Sequence, residues 1–202
     1  MKWNLKDIIQ ETNHPFLNFY TFIYEVGDGQ DIKNYSYYVA SRHKKEELYA
    51  LHKSNKPDGV LIPCYYIDEN KEVSLLITSQ FRPPLNRVVT SIPAGLIDEN
   101  EDIFTAAKRE ALEEGGVVID NLELLAPASS TSSGLSDEVN CIVLGKIVSF
   151  AKPHKEEFED INVKLIPLKE LEKMLDDEQY FFAMNVRLII KYLSLYFASK
   201  SF

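Results

Sequence analysis

Between Asp102 and Gly115 the chain reads DIFTAAKREALEEG, free of proline and rich in Ala, Glu, Lys and Leu, and it stops at Gly115-Gly116. Such a segment is a strong helix former with a ready left-handed C-terminal cap. At about 100° per residue, Glu110 and Glu114 fall roughly 20° either side of Ile103, beside Ala107. Glu113 lies about one residue-width further round, next to Arg109. Two glutamates thus occupy the stripe where an amphipathic helix puts leucine, and Leu112 points nearly the opposite way. A buried unpaired carboxylate is costly, and a hard cation held by several carboxylates removes that cost. The alternative is a solvated face whose glutamates pair with Lys108 and Arg109.

The rest of the composition bounds the problem. The 202 residues are 45% hydrophobic, enough for one domain of ordinary size plus an extension. The formal net charge is −9, and no Lys/Arg stripe interleaves with aromatics. Nucleic acid is therefore not an expected ligand. Cys64 and Cys141 each lie inside an apolar run and read as buried free thiols of a reducing compartment. The N-terminus, MKWNLKDIIQ, has no apolar core of a signal peptide, and no stretch approaches 18 apolar residues. The expectation is a cytoplasmic protein with no membrane partner. His14, His43, His52 and His154 show no ligand spacing and receive no role.

Organisation along the chain separates residues 1–57 from 58–202. In the first part, Phe16–Val26 and Tyr35–Ser41 are aromatic and β-branched and predict strands around a Gly27-Asp28-Gly29 turn. Lys44–Leu51 fits a short helix or another strand. Lys56-Pro57-Asp58-Gly59 reads as a turn and a boundary. In the second part, strands are expected at Val60–Ile67, Val73–Phe81, Arg87–Ile92, Asn121–Pro127, Cys141–Phe150 and Ile161–Pro167. Helices are expected at Lys169–Asp176 and Met184–Ala198, the latter with Val186, Ile189, Ile190, Leu193 and Phe197 on one face. Ala128–Glu138 reads as a Ser/Gly-rich loop. Strands and helices interleaved this way predict an α/β fold, an α/β/α sandwich with an N-terminal antiparallel β extension.

The spacing Gly95-x5-Glu101-x7-Arg109-Glu110-Ala111-x-Glu113-Glu114-x-Gly116-Val117 resembles the signature of the Nudix hydrolases. Ala111 stands where that family usually has Ile, Leu or Val, and it stays apolar. The resemblance covers about residues 58–198 and implies the Nudix α/β/α sandwich and cleavage of a diphosphate linked to another group. It implies Glu110 and Glu114 as the main ligands of Mg²⁺, with Mn²⁺ as a substitute. It implies Glu113 as a further ligand in the catalytic set, direct or through water, and the Ala94 carbonyl beside them. An Arg109–Glu101 ion pair would orient the loop–helix–loop.

Further segments resemble the ADP-ribose pyrophosphatase-like subgroup: Gln80-Phe81-Arg82-Pro83-Pro84, Ile92–Asp98, Ser133–Glu138 and Glu157–Val163. The resemblance implies a small nucleotide-sugar substrate, with Arg82 holding a phosphate oxygen and Arg42 reaching a substrate phosphate across a homodimer built by the N-terminal extension. Glu138 or Glu157 would be the catalytic base. Ser91 replaces a glutamate that the subgroup uses in substrate binding, and Ser132-Ser133-Gly134 replaces a Ser-Pro-Gly. Another nucleoside diphosphate sugar fits the same machinery as ADP-ribose. The competing readings are a Nudix hydrolase of nucleoside triphosphates or dinucleotides, and a non-catalytic sugar-nucleotide sensor.

Overall fold

The computed structural model describes residues 1–29, 31–52, 56–152 and 160–200. The chain forms two compact units. One comprises Met1–Asp58 with Ala128–Asn140, and the other Gly59–Pro127 with Cys141–Phe202.

The first unit is an antiparallel sheet of β1 (Lys2–Gln10), β2 (Asn18–Asp28) and β3 (Asp31–Ser41). Asp28 pairs with Asp31, and Gly29 sits at φ +62°, a conformation only glycine adopts without strain. The chain reversal therefore lies beyond Gly27 and Asp28, which continue β2. Strand β1 was not expected from sequence. It carries a register shift between Leu5 and Asp7, and of its residues only Ile8 is buried, so it lacks a clear alternation. One face of the sheet buries Ile8, Tyr20, Phe22 and Val39 around Leu48. Residues 44–51 are neither a strand nor one helix. A 3₁₀ turn, Lys45–Glu47, leads into the single turn α1 (Tyr49–His52).

The second unit holds a mixed eight-stranded sheet. Its strands are β4 (Gly59–Leu61), β5 (Cys64–Ile67), β6 (Val73–Arg82), β7 (Arg87–Ser91), β8 (Ala94–Leu96), β9 (Val117–Ser130), β10 (Val139–Phe150) and β11 (Ile161–Pro167). The expected strand Val60–Ile67 is split into β4 and β5. Pro63 has no N–H for a ladder, and the Ile62 N–H is directed to the Pro93 carbonyl at 2.8 Å. The two halves flank β10 and differ in their outer neighbours: β4 pairs with β8, and β5 with β6.

Successive side chains of a strand point to opposite faces, and the core divides accordingly. Leu75, Ile77 and Leu144 face α3 (Leu168–Met174) and α4 (Met184–Ala198), packing against Leu171, Val186, Ile190 and Leu193. Leu76, Cys141 and Val143 face α2 (Ile103–Glu113), packing against Ala106, Ala107 and Ala111. The fold is thus an α/β/α sandwich. Alanine along the inner stripe of α2 lets that helix approach the sheet closely. No described helix is long and apolar enough to cross a membrane.

Candidate active site

Helix α2 starts where Asp102 accepts hydrogen bonds from the N–H groups of Phe104 (3.0 Å) and Thr105 (3.2 Å), an N-cap that satisfies two otherwise orphaned donors. Its C-terminal turn gives way at Gly116, φ +63°. Four of its residues are buried: Ala106, Ala107, Ala111 and the single charged one, Glu110. Leu112 is exposed. The helix therefore sinks a carboxylate where its pattern calls for an apolar group.

Gly95 of β8 makes room for that carboxylate. A Cβ built on Gly95 would lie 2.0 Å from both Cδ and Oε1 of Glu110 and 2.4 Å from Oε2. Next door, the Ala94 N–H donates to Glu114 Oε2 at 2.9 Å. Strand β8 thus receives two carboxylates from consecutive turns of α2 at consecutive residues.

Arg109 organises the remainder. Its Nε and Nη2 donate to the two oxygens of Glu101 at 3.0 and 2.9 Å, a fork that matches carboxylate geometry. Nη2 also donates to the Leu96 carbonyl at 2.9 Å. Nη1 donates to Glu110 Oε1 (2.6 Å) and Glu113 Oε2 (3.1 Å). These bonds, led by those of Arg109, hold the Glu101 carboxyl below its usual range. The same pairing pushes the Arg109 guanidinium up, so it stays charged. Glu101 in turn accepts from the Asp98 N–H (3.1 Å) and fixes the loop between β8 and α2.

Among the described residues, no three His, Cys, Asp or Glu side chains are gathered closely enough to hold a metal ion. Glu110 and Glu113 both reach Arg109, while Glu110 and Glu114 meet β8 at Gly95 and Ala94. Carboxylates on neighbouring turns repel, and the guanidinium supplies the compensating charge. The donor chemistry remains all oxygen, with one carboxylate buried, a set that fits a hard divalent cation. Sequence spacing did not reveal that Gly95 is the floor under Glu110.

Glu138 belongs to the other unit. Its Oε2 lies 3.4 Å from Arg42 Nε, and Oε1 accepts from Thr131 Oγ1 (3.2 Å) and Asn140 Nδ2 (3.4 Å). Two residues predicted separately, Arg42 and Glu138, are therefore partners. The loop around Glu138 is shorter than expected, because β9 runs on to Ser130 and β10 begins at Val139. Arg82 ends β6, exposed, directly across from Arg87, whose guanidinium lies 3.8 Å from the Phe181 ring centroid. Glu157 lies outside the described residues.

A NUDIX domain match spans residues 56–184, and the whole α2 arrangement falls inside it. The chain is a Nudix hydrolase. It is 30% identical over 142 residues to an ADP-ribose pyrophosphatase of Bacillus subtilis (strain 168), covering 69% of this chain and 74% of that one. It is 50% identical over 58 residues to an ADP-ribose pyrophosphatase of Saccharomyces cerevisiae, covering 29% of this chain and 25% of that one. A methanol dehydrogenase activator of Bacillus methanolicus is 31% identical over 144 residues, 70% and 75% of the two chains. A solved ADP compounds hydrolase superposes with a TM-score of 0.73 at 17% identity, covering 100% of this chain and 98% of that one, a likeness of fold. Nudix hydrolases generally use divalent metal ions.

Proposed function

We propose that this Nudix hydrolase splits the diphosphate of ADP-ribose, or of a related nucleoside diphosphate sugar, into a nucleoside monophosphate and a sugar phosphate, with Mg²⁺ as the metal. The observation that carries the reading is the buried carboxylate of Glu110 against Gly95, with Glu113 and Glu114 on the adjoining helix positions. The similarity to the Bacillus subtilis ADP-ribose pyrophosphatase over 69% of the chain supports the substrate class.

Glu110 and Glu114 would hold Mg²⁺, with Glu113 and the Ala94 carbonyl completing the protein's share. Mg²⁺ when bound neutralises the diphosphate oxygens and acidifies a water. Arg109 holds Glu110 and Glu113 in place through Nη1. Arg82, at the tip of the β6–β7 hairpin, is exposed and available to grip a phosphate oxygen. Glu138 takes the proton of the attacking water, whose oxygen bonds to phosphorus as the bridging P–O bond breaks. Arg42 lies beside it, with Nε 3.4 Å from Glu138 Oε2. Glu157 remains the alternative base in this proposal. The N-terminal sheet leaves Ile9, Phe19 and Tyr38 exposed, which supports assembly into a homodimer through this unit.

The test is a hydrolysis screen over ADP-ribose, ADP-glucose, UDP-glucose, GDP-mannose and NADH with Mg²⁺ and Mn²⁺, with products identified. Release of AMP and ribose 5-phosphate is expected from ADP-ribose. Pyrophosphate release from nucleoside triphosphates, with the sugar nucleotides untouched, would sink the substrate class. Unchanged Mg²⁺-dependent turnover in Glu114→Gln would sink the metal assignment.

A further inference from the structure

His43 and Asp58 show no catalytic pattern in the sequence, yet they meet beside Glu138. Asp58 Oδ1 lies 2.9 Å from His43 Nε2, and Asp58 Oδ2 accepts from the Val139 N–H at 2.8 Å. The Asp58 N–H donates in turn to the Val139 carbonyl at 2.7 Å. The Asp58 side chain is 15% exposed and that of His43 27%, so the pair is largely withdrawn from water. His43 is itself anchored: its N–H donates to the buried Ser41 Oγ (3.0 Å), and its carbonyl accepts from the buried Tyr20 hydroxyl (2.8 Å). The consecutive residues Arg42 and His43 therefore hold the consecutive residues Glu138 and Val139, one directly and one through Asp58.

We propose that Asp58 is a positioning residue, which joins His43 to the backbone of Val139 and so fixes the neighbouring carboxylate of Glu138 for proton transfer. The inference rests on the reading of Glu138 as the base. Three observations carry it. Both carboxylate oxygens of Asp58 are used, each at short range. The three residues come from just after β3, from the residue before β4 and from the start of β10, so the clip joins segments far apart in sequence. The Glu138 carbonyl accepts from the Thr131 N–H at 3.2 Å, and the next residue, Val139, is fastened to Asp58 through both its N–H and its carbonyl.

The clip has a pH dependence whose sign follows from its charges. Asp58, Asp137 and Glu47 all face His43 with negative charge, and with the Asp58 hydrogen bond foremost they raise the imidazole above its ordinary value against the opposing effect of burial. His43 thus keeps its proton to a higher pH than a free imidazole and loses it as pH rises through the raised value. Asp58 then loses its charged partner, its hold on Val139 weakens, and Glu138 is less well placed.

The experiment compares wild type, Asp58→Asn, His43→Gln and Glu138→Gln, using Mg²⁺ and ADP-ribose. It records kcat and KM from pH 6 to 9, the His43 ring titration by NMR, and Val139 amide exchange. Wild-type kcat should fall on the alkaline side in step with the His43 titration. Asp58→Asn should return the His43 titration toward its ordinary value, speed Val139 exchange, and lower kcat about tenfold with KM within about twofold, part of the ~10² to 10⁴ that a placed base supplies. His43→Gln, neutral at every pH, should abolish the alkaline fall by holding kcat at the wild type's alkaline level throughout, and covers the case in which Asp58→Asn does not fold. Wild-type kcat and pH profile in both variants, with Glu138→Gln inactive, would overturn the positioning role alone. Full activity in Glu138→Gln would overturn the reading of Glu138 itself.

Discussion

Replacing Gly95 by alanine isolates the feature on which the metal assignment depends. The new Cβ would meet the Glu110 carboxylate at 2.0 Å, about 1.4 Å short of the 3.4 Å at which ordinary contact begins. Gly95 cannot retreat cheaply, because it is paired with Val60 between Leu61–Ala94 and Gly59–Leu96 in the β4–β8 ladder. The Glu110 side chain must move instead, by something over an ångström. Overpacking of this kind costs about 1–3 kcal/mol of stability. A misplacement of about 1 Å in a catalytic constellation costs roughly 10²-fold in rate. We therefore expect Gly95→Ala to fold, with a urea midpoint lowered by the equivalent of about 1–3 kcal/mol, and to lose roughly two orders of magnitude in Mg²⁺-dependent kcat. Coupling it with Glu110→Asp, which is one methylene shorter, should recover part of the stability and none of the activity. The assays are urea denaturation followed by circular dichroism, and initial rates of ADP-ribose hydrolysis at saturating Mg²⁺. Wild-type kcat in a folded Gly95→Ala protein would refute the reasoning, since Glu110 would then be free to move without consequence.

Other outcomes follow from the same geometry. Arg109→Lys keeps the charge and loses the fork on Glu101, which should cost about 1.5–3 kcal/mol in chemical denaturation. The Glu101 carboxyl is depressed by Arg109, so its stabilisation is present above about pH 4.3 and is lost as pH falls through the lower folded-state value; Glu101→Gln should flatten that part of the stability profile. Burial pushes the Cys64 and Cys141 thiols up, so neither should react with a thiol reagent at pH 8 until denaturant is added. Leu193→Ala, at a fully buried position between α4 and the sheet, should cost about 2–5 kcal/mol in urea unfolding.

Much of this could be read from the chain alone, and the exceptions have physical causes. Helix α2 announced itself through Asp102, its unbroken run of helix formers and the paired glycines. Helix α4 was legible because its apolar residues recur at helical spacing. Strand β9 begins four residues earlier than its pattern shows, since Asn121 at φ +50° interrupts the extended run and hides Val117–Asp120. Strand β1 was invisible because it buries almost nothing. In the site, the Nudix spacing pointed to Glu110, Glu113 and Glu114, but Arg109 serving three glutamates at once depends on side-chain reach, which spacing does not encode. The surroundings of Glu138 were illegible for a different reason. Arg42, Asp58 and Thr131 come from three segments, and nothing local to any of them foretells the meeting.

The membership of Ala128–Asn140 in the N-terminal unit limits how this architecture can be dissected or inherited. The chain leaves the sandwich after Pro127, lends thirteen residues to another body, and returns at Cys141. A cut at Asp58–Gly59 therefore does not separate two modules. It strands a segment that has lost Ala40 as the donor to its Leu135 carbonyl and Asp58 as the acceptor for its Val139 amide. A gene rearrangement that exchanged the first 58 residues for another extension would have to supply those same docking points. Met1–Asp58 and Ala128–Asn140 form one unit and have to be exchanged together.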